Sequence, residues 1–107
     1  MPASKKIDRL KKKKARITAR GQRITGRAED KMDKVVSKTN KKVKKAQKKY
    51  AKATTPKQKA RATKKGQRIT GRAEIKMDKI ASKTNKRVKR AQKKYAKVAS
   101  KIKKSKR

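Results

Sequence analysis

The sequence predicts an all-α protein built as a tandem repeat. Three observations lead there. Residues 21–52 recur as residues 66–97 at a constant offset of 45. The two copies differ only at Asp30/Ile75, Val35/Ile80, Val36/Ala81, Lys42/Arg87 and Lys45/Arg90. A repeat of this length reports a structural unit used twice. Within each copy the least polar residues recur at steps of three and four, and nothing alternates with the period of two that a strand needs.

The apolar pattern defines the long helices. The first copy offers Ala28, Met32, Val35, Val36, Thr39, Val43, Ala46, Tyr50 and Ala53. The second offers Ala73, Met77, Ile80, Thr84, Val88, Ala91, Tyr95 and Val98, extended by Ile102. This stripe is about one side chain wide, which suits a helix–helix seam rather than the broad face of a globular core. The reading places a first long helix over residues 28–53 and a second from 73 to 102. The first is about 40 Å long, close to one turn of B-form DNA at roughly 34–36 Å.

In chain order, residues 1–6 read as a basic N-terminal arm. Residues 7–55 form the first helical repeat, 56–102 the second, and 103–107 a basic C-terminal tail. Each repeat is expected to hold a short basic helix, a Gly/Arg turn and a long helix. Asp8 is a candidate cap for the first short helix, with Ile7, Leu10 and Ile17 near one face. The lysine run at residues 11–14 reads as plain basic surface, with some likeness to a nuclear-import patch. Gly21 and Gly26 bracket the expected turn, as Gly66 and Gly71 do in the second copy. Thr25 and Thr70 then serve as N-caps. Glu29, Asp30, Asp33, Glu74 and Asp78 fall in the first turns, where the helix dipole favours acids. Thr54-Thr55-Pro56 should stop the first long helix, because proline cannot extend it.

Composition sets the tertiary and functional bounds. Of 107 residues, 43 are Lys or Arg and 6 are Asp or Glu, giving a formal net charge of +37. Aromatics are 2% and there is no cysteine or histidine. Charge at this density, with so little to bury, predicts a chain largely disordered without a polyanionic partner. When folded, the helices form a loose antiparallel hairpin or lie separately along the partner. Disulfides and thiolate or imidazole metal sites are excluded, and no apolar run approaches a membrane span. No metal site, catalytic set, cofactor or small-molecule substrate is expected, since serine and threonine have no histidine to activate them.

The predicted partner is nucleic acid, held through its phosphates. Arginine is the minority cation, and it concentrates at the expected turns: Arg20, Arg23 and Arg27, then Lys65, Arg68 and Arg72. Its planar fork holds phosphate bidentately, whereas lysine acts as a mobile point charge. The long helices add Lys41, Lys42, Lys44, Lys45, Lys48 and Lys49, matched by Lys86, Arg87, Lys89, Arg90, Lys93 and Lys94. Chemistry that reads base sequence is scarce. These features predict a histone-like or viral core protein that neutralises and condenses DNA without sequence specificity. Such a protein resides inside the cell or virion with its nucleoprotein, in a nucleus, nucleoid or viral core. The alternatives are a structural RNA-binding protein of a ribosome or other ribonucleoprotein, and a repeat protein on an acidic filament lattice. In composition alone the chain resembles lysine-rich chromosomal and viral core proteins. It lacks the proline-rich tail repeats of linker histones and the strand-rich pattern of bacterial histone-like dimers.

Overall fold

The computed structural model describes residues 2–106, with side chains from residue 4. It contains two α-helices, α1 over Pro2–Lys52 and α2 over Pro56–Ser105, and no strand among the described residues. The all-α expectation holds.

α1 stops where the sequence places the stop, at Thr54-Thr55-Pro56, but residues 53–55 alone make the reversal, without the turn and short helix expected between the long helices. Ala53 N–H donates to the Tyr50 carbonyl at 3.2 Å, tightening the end of α1. Thr55 caps α2: its Oγ1 accepts from the Gln58 N–H at 3.2 Å. Pro56 occupies the first helical position, where an N–H would have no partner. Gln58 Oε1 reaches back to the Thr54 N–H at 3.0 Å and accepts from the Thr54 hydroxyl at 3.4 Å. The result is a capping box whose return bond falls one residue early. The Thr-x-x-Gln spacing was visible in the sequence and points to the same start.

The expected Gly/Arg turns are absent. α1 runs unbroken through Gly21 and Gly26, α2 through Gly66 and Gly71, and no glycine has positive φ. The short basic helices are therefore the first halves of α1 and α2. A glycine inside a helix costs roughly 1 kcal/mol relative to alanine, too little to break a helix whose apolar face continues on both sides. That face does continue: Ile17, Gly21, Ile24 and Ala28 hold the three-and-four spacing across the first segment. Thr25 and Thr70 are likewise not N-caps. The Thr25 hydroxyl donates to the carbonyls of Gly21 and Gln22 at 3.0 Å each, and Thr70 repeats this with Gly66 and Gln67. These are the back-bonds of threonine within a helix. Glu29, Asp30, Asp33, Glu74 and Asp78 lie mid-helix, and neither helix has an acid in its first turn. Residues 2–6 and 103–105 are helical rather than extended arms, and Lys106 N–H still donates to the Ile102 carbonyl at 3.2 Å.

The chain packs as two units. The first pairs α1 up to Ala28 with α2 from Ser82 onward. Lys14 lies over the Tyr95 ring, while residues 17–27 line a cleft with the earlier residues 87–94, so the segments run antiparallel. Ala28, Val98 and Ile102 are buried here, with Ile7, Leu10, Ile17, Ile24, Val88 and Ala91 half-buried. The second unit, Glu29–Ala81, is the helical hairpin around residues 53–55. Ala46 and Ala62 are its buried residues, flanked by half-buried Met32, Val35, Val43, Ile69, Met77 and Ile80. Three of the five buried residues are alanines, and no described side chain is fully enclosed. Alanine removes little apolar area from water, so both seams are thin. Val36 departs from the expected stripe and is exposed, as is Ile75 in place of Asp30. Thr39 interrupts the seam without an unpaired hydroxyl, since it donates to the Val35 carbonyl at 2.6 Å.

Candidate nucleic-acid interface

Every cation singled out from the sequence is exposed. Their grouping, however, depends on how the helices meet. In the first unit Arg20, Arg23 and Arg27 of α1 and Arg87, Arg90 and Lys94 of α2 line one cleft of ≈ 370 Å³. Ile17, Ile24 and Ala91 form its apolar lining. Helical spacing explains the row on α1: residues three and four apart share a face. Lys86, Lys89 and Lys93 lie outside the cleft on the exposed surface of α2.

In the second unit Lys65, Arg68 and Arg72 line a groove of ≈ 400 Å³ with Arg61, Lys64 and Ile69. Lys65 also borders a second groove with Lys49, Lys52, Gln58 and Arg61 beside the reversal. Arg61 and Lys64 join this groove because α2 is continuous through the expected turn, which puts Arg61 one turn before Lys65, and Lys64 one turn before Arg68, on the same helix. Lys49 and Lys65 approach closely across the seam. The neutral Lys65 amine can accept a hydrogen bond from Lys49; this, with repulsion from Lys49, desolvation and repulsion from Lys45, sets Lys65 below the ordinary lysine value of 10.5. Lys41, Lys42, Lys44, Lys45 and Lys48 stand exposed along α1.

The tyrosines sit between packing and solvent. Tyr50 and Tyr95 keep 47% and 38% of their surface exposed. The Lys59 ammonium lies 5.7 Å from the centre of the Tyr50 ring, and Lys14 lies 4.9 Å from that of Tyr95. Each ring thus holds a cation from the opposite helix over its face. Among the described residues no group of three or more His, Cys, Asp or Glu could hold a metal ion, and no helix is long and apolar enough to cross a membrane. No protein-family model, curated protein or solved structure matches this chain.

Proposed function

We propose that the protein binds duplex DNA through its phosphates, with little regard to base sequence, and draws duplex segments together. The observation that supports this most is the gathering of Arg20, Arg23, Arg27, Arg87, Arg90 and Lys94 around one open cleft, in a chain of net charge +37. Neutralising phosphates releases condensed counterions, which dominates binding at this charge density. The helical segments of each unit are about 36–40 Å long, comparable to one turn of B-DNA. Each unit carries its own cationic groove, so one chain has two places to hold a phosphate backbone. Two such places on one molecule favour bridging by raising the effective concentration of the second contact. Few side chains here are suited to base edges, so contacts position the protein rather than select a sequence.

Titrating two unrelated duplexes and one structured RNA between about 50 and 200 mM salt tests this reading. Affinity for both duplexes should match and should fall by about 10³-fold or more over that range. A shallow salt dependence, or strong preference for the RNA fold, would replace it with a structural role in a ribonucleoprotein.

A further inference from the structure

The two copies of the repeat do not contribute equal clefts. Applying the 45-residue offset to the first unit's cleft gives its counterpart in the second. Arg20, Arg23 and Arg27 become Lys65, Arg68 and Arg72, while Arg87, Arg90 and Lys94 become Lys42, Lys45 and Lys49. Of these counterparts, Lys49 and Lys65 border one groove beside the reversal, and Lys65, Arg68 and Arg72 line another. Three of the six positions differ, and all three differ in the same sense. Arginine stands in the first unit where lysine stands in the second. Yet Arg20 comes from the first copy and Arg87 and Arg90 from the second. Arginine is therefore distributed by place in the fold, not by copy.

We propose that the first unit's cleft is the salt-resistant phosphate anchor of the protein, and that the second unit, where lysine replaces three of its arginines, holds DNA more loosely. This rests on the duplex-binding reading above. Arginine's fork engages two phosphate oxygens at once and is more weakly hydrated than an ammonium, so it retains phosphate better when salt competes. In the second unit Lys49 and Lys65 border the same groove from opposite helices, and two ammonium groups so placed repel each other. They supply charge without a fixed geometry. One chain thus grips a duplex firmly at one end of its function and exchanges partners at the other, which lets a condensed array rearrange.

The test exchanges arginine and lysine in the full-length chain at constant charge. Arg20→Lys, Arg87→Lys and Arg90→Lys together turn the first cleft into the second. Lys42→Arg, Lys45→Arg and Lys65→Arg together do the reverse. Arg9→Lys and Arg16→Lys together serve as the control, since neither residue lines the groove of either unit. Binding of a short duplex is followed by anisotropy as salt is raised, with circular dichroism to compare helix content. At about 200 mM salt the first variant should bind about tenfold more weakly and the second more tightly, while the control stays near the parent. Equal binding by all four proteins, or an equal loss in the control, would overturn the proposal and leave the duplex-binding reading standing. No duplex binding by the parent chain would overturn both.

Discussion

The Lys14 ammonium lies 4.9 Å from the centre of the Tyr95 ring, and residues 45 positions away repeat the arrangement with the copies exchanged. Lys59 belongs to the second copy and lies over Tyr50 of the first. Each pair marks the antiparallel register within its own unit. A double-mutant cycle of Lys14→Met and Tyr95→Leu should return a coupling of about 0.5–1 kcal/mol, the range for exposed cation–π pairs. Urea denaturation at fixed salt measures it. A coupling near zero would mean that the register is set by the apolar seam alone.

Replacing helical glycines should strengthen the fold. A Cβ built at Gly21 or Gly66 meets no heavy atom within 4 Å, and neither residue has positive φ. Gly21→Ala and Gly66→Ala should each stabilise the protein by about 0.5–1 kcal/mol, because alanine lowers the entropy lost on helix formation. Thermal denaturation reads this directly. Destabilisation by either change would restore the turn expected from the sequence.

Lys65 should couple stability to alkaline pH. Its folded-state value lies below the unfolded value of 10.5. Below both values the ammonium is charged in either state, and the folded protein bears the repulsion. As pH rises through the folded value towards 10.5, the unfolded chain binds more protons, so stability increases. Lys65→Gln should therefore be more stable than the parent at pH 7, and the gap should narrow as pH approaches 10.5. Denaturation midpoints of the two proteins across that range provide the check. A gap that does not change with pH would assign the effect to packing.

Helix content should depend on counter-charge. The seams bury little apart from Ala28, Ala46, Ala62, Val98 and Ile102, while the chain carries +37. Self-repulsion opposes the packed helices, and salt or duplex DNA offsets it. Circular dichroism of the isolated protein should show low helicity at low salt, rising with salt and further with DNA. Full, cooperative helicity at low salt would show that the seams outweigh the repulsion.

Much of this architecture was legible in the chain itself. The three-and-four spacing shows two long helices, and Thr54-Thr55-Pro56 the stop of the first, although both helices begin well before the residues 28 and 73 read from the sequence. Gly21 and Gly26 misled because punctuation by glycine is a local signal worth roughly 1 kcal/mol, whereas the seam through Ile17, Gly21, Ile24 and Ala28 is a longer one. Thr25 looked like a cap only under that turn reading; inside a continuous helix its hydroxyl back-bonds instead. The cleft could not be read locally. Arg20 and Arg90 are distant in sequence and meet only through the register of the two helices, which no single segment encodes.

The exchange of partners between copies also bears on how far the two copies can differ. One copy contains both halves of the ring contact, Lys14 and Tyr50, and so is complementary to itself. That is the organisation of two identical subunits meeting through an isologous interface, here joined end to end by residues 53–55. In a true homodimer any substitution appears in both halves at once, and the two clefts must remain identical. Joining the subunits in one polypeptide releases that constraint. Arg20 differs from Lys65, and Arg87 and Arg90 from Lys42 and Lys45, which two identical subunits could not do.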